Sequence, residues 1–82
     1  MYVKIVVENE FHSIEEARKI DVSYRSRLKD GEPPDLVLTL DGRASEPIPS
    51  EMNGGPSVQV YILNDAGHTI DSIRNDGTDY TP

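Results

Sequence analysis

Few side chains in this chain have the type and spacing to do chemistry. Two histidines, His12 and His68, are the groups that titrate near neutrality without perturbation. His12 adjoins Ser13, and a serine just ahead of an apolar-periodic run is a helix cap far more often than a nucleophile. His68 follows Asp65 and precedes Asp71, but a metal needs three or four converging ligands, and two histidines with no cysteine do not supply them. Asp65, Asp76 and Asp79 lie near glycines as calcium ligands do. Ahead of Gly77, however, Arg74 falls where an EF-hand loop needs an oxygen. These aspartates read better as turn residues bonded to their own backbone. The glycine pair in Asn53-Gly54-Gly55-Pro56-Ser57 lacks the lysine and following helix of a phosphate loop. Glu15 and Glu16 are adjacent but diverge on a helix, so no carboxylate pair is set up for acid–base work. The chain therefore reads as non-catalytic, with neither metal nor cofactor.

What remains is charge. The formal net charge is −7, and it is unevenly placed. Residues 1–29 carry six basic groups against five acidic ones, whereas residues 30–82 carry ten acids against Arg43 and Arg74. Long-range repulsion from phosphates argues against direct binding of nucleic acid. The acids Asp41, Glu46, Glu51, Asp65 and Asp71 are the candidates to face a partner with a basic surface. The basic group Arg18, Arg25, Arg27 and Lys29, with Tyr24, is the candidate to hold an anion or a partner through charge-assisted bonds. On a solvated helix the same residues would form ordinary pairs, Glu15 with Lys19 and Asp21 with Arg25.

The elements that must position these groups depend on residues 13–31, SIEEARKIDVSYRSRLKDG, which fit two templates. At helical spacing Ile14, Ala17, Ile20, Tyr24 and Leu28 form one stripe; at a period of two Ile20, Val22, Tyr24, Ser26 and Leu28 form a strand face. Ser13 and Glu16 make a capping box, Lys29-Asp30-Gly31 a helix end, and no Gly, Pro or Asn intervenes. The helix is the preferred template, and Val22 on its polar side counts against it. Residues 2–8 and Leu36–Leu40 are predicted as strands, parallel to one another through a right-handed crossover. Asp41-Gly42 is predicted as a turn, after which Pro47 and Pro49 confine any strand to an edge. Residues 43–57 read as the longest irregular stretch. Val58, Val60 and Ile62 alternate with Gln59 and Tyr61, then Asn64-Asp65-Ala66-Gly67 turns into a second arm.

The expected fold is thus α+β: one amphipathic helix on a mixed sheet of about four strands, in the order β-α-β-(β)-β-β. The expected domain is 1–75, with 76–82 a polar tail. An apolar fraction of 35% in 82 residues gives a small core, and without cysteine the remaining remedy is self-association into a homo-oligomer. No leader and no membrane span are expected, so the location is cytoplasmic. The function expected from these features is a small acidic interaction protein, an inhibitor of the kind phages encode, occupying a basic, nucleic-acid-binding surface of a protein. The alternative is a small oligomer holding an anionic ligand such as a nucleotide, with Tyr24 or Tyr61 in its pocket.

Overall fold

The computed structural model describes residues 1–25 and 32–76. Among the described residues the regular structure is almost all strand, in two antiparallel sheets, with no helix of seven or more residues, and the predicted α+β fold with a mixed sheet is not what forms. Seven strands follow one another among the described residues: β1 Tyr2–Val7, β2 Glu10–Glu16, β3 Ile20–Arg25, β4 Asp35–Leu40, β5 Arg43–Ala44, β6 Val58–Leu63 and β7 Thr69–Arg74. One sheet has the order β2-β1-β6-β7 and the other β3-β4-β5. The predicted strands at 2–8, 36–40 and 58–62 are present as β1, β4 and β6. β1 and β4 are nevertheless in different sheets, so the predicted parallel crossover is absent.

Between the sheets lies one core. Val3, Val58, Val60, Ile62 and Ile73 from the larger sheet meet Leu36 and Leu38 from the smaller one, with Ile5, Val7, Ile20, Val22, Tyr24 and Leu40 packed around them. Val60 is fully buried and Leu36 is 1% exposed. These residues alternate along their strands, as a two-layer sandwich with one wet face per sheet requires.

Where a helix was predicted across 14–29, β2 ends and β3 begins. The β3 residues Ile20, Val22 and Tyr24 face the core while Asp21, Ser23 and Arg25 face solvent. This removes the objection that Val22 raised, since on a strand it points inward with its neighbours at i±2. The turn between the strands has no Gly, Pro or Asn because its hydrogen-bond acceptor comes from elsewhere. Asp41 Oδ1 accepts the backbone N–H groups of Arg18 at 3.0 Å and Lys19 at 2.8 Å, and the Asp41 N–H donates to the Lys19 carbonyl at 2.9 Å. Ala17, buried at the corner, donates its N–H to the Met1 carbonyl. Ser13 is likewise no helix cap: it lies within β2, opposite Ile5.

Tight turns join the hairpins. Glu8 and Asn9, between β1 and β2, have φ of 51° and 64°, and Asp41 and Gly42, between β4 and β5, have 51° and 81°. Two consecutive positive values in a two-residue loop are the type I′ turn whose twist matches the strands. A glutamate seldom accepts that backbone. Here Glu8 is held by Ser57, donating its N–H to the Ser57 carbonyl at 2.8 Å while its Oε1 accepts the Ser57 N–H at 3.0 Å. The predicted turn at Asn64–Gly67 is present, with Asn64 Oδ1 accepting the N–H groups of Ala66 and His68.

The stretch 43–57, predicted to be irregular, is tied down along its length. Ile48 and Leu36 exchange both backbone hydrogen bonds at 2.8 Å, so the chain beyond β5 still runs beside β4 past Pro47. A single 3-10 turn, Glu51–Asn53, follows Ser50, whose Oγ accepts the Met52 N–H. Gly55 lets the Pro49 and Ser50 carbonyls approach to 3.2 Å of where a Cβ would stand, so the glycine pair serves close packing here. Asn75 then closes the structure. Its Oδ1 accepts the Val58 N–H at 2.8 Å, and its Nδ2 donates to the carbonyls of Pro49 at 3.0 Å and Pro56 at 2.8 Å. Its carbonyl accepts the Glu51 N–H, and its own N–H donates to Val58. Asn75 is 4% exposed, and so belongs to the fold and not to a frayed end. Of the predicted tail 76–82, all but Asp76 lies outside the described residues.

Two substitutions test this account by urea unfolding. Asp41→Gly keeps the turn backbone but removes the acceptor for two amides, and is expected to cost about 1–3 kcal/mol, with Asp41→Asn retaining most of the stability. Asn75→Ala strips three side-chain hydrogen bonds from a buried site and is expected to cost about 2–4 kcal/mol.

Candidate functional site

The helix on which the arginine ridge depended does not form among the described residues, and Arg18 and Arg25 are set apart. Arg18 lies in the β2–β3 corner and Arg25 at the far end of β3, opposite Asp35. Tyr24 packs against the core, and Arg27 and Lys29 lie outside the described residues. The helical pairs are replaced by others: Glu15 faces Arg43 at 3.6 Å, and Lys19 faces Asp21 at 4.0 Å. All of these charges are well exposed, so each pair contributes little to stability.

The five predicted acids are all exposed, but they are spread and differently employed. Asp41 holds the β2–β3 corner. Asp65 accepts a hydrogen bond from the Met1 ammonium at 2.7 Å, and that bond and charge together hold its carboxyl below the usual aspartate range. Glu51 opens the 3-10 turn, Glu46 sits in the β5–β6 connection, and Asp71 lies on β7 with its Oδ1 accepting the Ser72 N–H. Asp41 and Asp65 therefore belong to the end of the sandwich that carries Met1, whereas Glu51 is bound to Asn75 at the opposite end.

His12 is the extra residue of a β-bulge. The register of β1 against β2 shifts between Ile5 and Val6, pairing Ile5 with Ser13 but Val6 with Phe11. His12 is exposed, with Nδ1 3.3 Å from Ser13 Oγ. His68 is exposed at the end of the β6–β7 turn. Among the described residues no three His, Asp or Glu side chains converge as a metal site would require.

Two concave features stand out. The smaller, of about 200 Å³, opens at the edge of the sandwich between Glu15 on β2 and Arg43 on β5, with Leu38 and Leu40 behind them. It exists because β5 is two residues long and leaves the inner side of β2 incompletely covered. The larger, of about 410 Å³, lies on the outer face of the four-stranded sheet, over Lys4, Val6, Gln59, Tyr61, Leu63 and Thr69. Lys4 Nζ lies 5.9 Å from the centre of the Tyr61 ring, and the Tyr61 hydroxyl donates to Gln59 Oε1 at 2.7 Å. Beside this hollow the edge strand β2 raises Phe11, 64% exposed, and Ile14, 51% exposed.

That face was not singled out from the sequence. The bulge at His12 sets Phe11 and Ile14 three positions apart although both project from the same side of β2, a spacing that imitates a helix. The usable signal was Glu8-Asn9 after a β-branched run, because asparagine readily takes the left-handed backbone an I′ turn needs.

Among the described residues no helix is long and apolar enough to cross a membrane. Comparison with protein-family models, with curated proteins and with solved structures finds no match to this chain.

The Asp65–Met1 contact makes a measurable statement. A depressed aspartate contributes stability that is present above its unfolded value, near 3.8, and is lost as pH falls below that toward the folded value. Carboxyl NMR titration is expected to give Asp65 a midpoint below 3.8, and acetylation of the Met1 amine is expected to move it back up.

Proposed function

We propose that this chain is a small, acidic, non-catalytic interaction protein that occupies a basic, nucleic-acid-binding surface of a protein partner, acting as an inhibitor in the cytoplasm of the kind phages encode. The observation that carries the reading is where the carboxylates are. Among the described residues the buried polar side chains are Ser50 and Asn75, and no acid is among them. Glu10, Glu16, Asp21, Glu46, Glu51 and Asp71 project into solvent from strands and a hydrogen-bonded loop. A net charge of −7 is thereby displayed on a frame that does not have to be ordered on binding, which spares the entropy cost a flexible acidic segment would incur. Such a field speeds encounter with a basic surface and selects against other partners.

Two of the predicted acids, Asp41 and Asp65, are engaged within the fold, so the partner-facing role falls to Glu46, Glu51 and Asp71. The triple substitution Glu46→Gln, Glu51→Gln and Asp71→Asn is expected to leave the unfolding midpoint unchanged within experimental error. Its expected effect on affinity for a basic partner captured from the native host at low salt is a loss of roughly tenfold. Affinity of the unsubstituted chain is expected to fall as salt rises. An affinity indifferent to ionic strength, or to the triple substitution, would overturn the reading.

A further inference from the structure

We infer that the outer face of the four-stranded sheet is a self-association surface, taking a second copy of this chain face to face across a two-fold axis. An isologous contact needs a surface that is complementary to itself, a projection and a recess side by side. This face has both. Phe11 and Ile14 form a ridge on β2, and the hollow over Lys4, Val6, Tyr61 and Leu63 lies beside it on β1 and β6. At about 410 Å³ the hollow holds on the order of a dozen waters, enough room for the two ridge side chains of a partner copy.

Charge selects the same face and the same occupant. Two copies carrying −7 each repel one another in most orientations. On this face, however, cross-strand pairing places Lys4 between Ile14 and Tyr61, Glu16 beside Tyr2 as the sole acid of the β1, β2, β6 and β7 residues projecting there, and Arg74 opposite Gln59, where Asp76 pairs with it at 3.7 Å. The face is therefore close to neutral, and a two-fold can set Lys4 of one copy against Glu16 of the other. A strongly basic partner would find little to pair with here. Edge-to-edge pairing of β2 with its copy is disfavoured by the bulge at His12 and by the glutamates Glu10, Glu15 and Glu16, devices that keep open edges from joining. The contact also covers Phe11 and Ile14, which the small core leaves in water.

This inference is independent of the basic-partner reading, and the two respond to salt in opposite directions. Sedimentation equilibrium over a wide concentration range is expected to show monomer and dimer in exchange, with the dimer tightening as salt screens the like charges. The double substitution Phe11→Ser and Ile14→Ser is expected to weaken the dimer by more than about tenfold while leaving the circular dichroism spectrum unchanged, since both side chains are exposed. An amide NMR dilution series on the unsubstituted chain is expected to move signals of β1, β2 and β6, and it decides the matter even if the double variant folds poorly. A chain that stays monomeric to its solubility limit, a dimer that survives the double substitution, or dilution shifts confined to β3 and β4 would each overturn the inference.

Discussion

The architecture depends on one carboxylate placed far from the turn it makes possible. Residues 17–19 must carry the chain from one sheet to the other in three steps, and nothing in them bends a backbone by preference. Asp41 resolves this by accepting two of their amide protons, while its own N–H returns a bond to Lys19. The same residue supplies the left-handed backbone of the β4–β5 turn. A single side chain therefore fixes both the corner between the sheets and the hairpin beside it.

This is also where the sequence was least legible. β1, β4 and β6 could be read from alternating β-branched and leucine residues, and the turns at Asp41-Gly42 and Asn64–Gly67 from residues that tolerate a positive φ. Residues 10–25 could not be read this way, for three separate physical reasons. The bulge at His12 changes the same-face spacing of Phe11 and Ile14 from two to three. The corner at 17–19 borrows its acceptor from a residue 22 and 23 positions away. Ser13 and Glu16 satisfy the capping-box pattern while lying on opposite faces of a strand. Each makes a strand pair imitate a helix locally, and tertiary hydrogen bonds decide the outcome. The candidate site shared this fate: the arginine ridge existed only on the helix, whereas the outer face of the larger sheet appears only once β2 is laid beside β1.

The surface divides into two kinds. Turns, the β5–β6 connection, the solvent side of β3 and the side of β2 that bears Glu10 and Glu15 carry most of the acids, while the outer face of the larger sheet concentrates aromatic and aliphatic groups around Lys4. A chain with a small core cannot hide all its apolar surface, and this face gathers Phe11 and Ile14, while Met52 is exposed in the 3-10 turn and Ile70 at the irregularity of β7. The register irregularities in β2 and β7, at His12 and Ile70, disrupt two of the outer edges where further strands could otherwise add.

Asn75 has a consequence for the order in which the molecule can assemble. The carbonyls and amide it secures belong to residues 17 to 26 positions earlier, and β1 waits for β6 across more than fifty residues. The joining of the β1–β2 hairpin to β6 therefore waits until most of the chain has been synthesised. Such distant pairing places refolding in the millisecond-to-second range typical of sandwiches, slower than a helical domain of this size. Locking of the 43–57 segment falls among the late steps, because its anchor is reached only after the β6–β7 hairpin has closed.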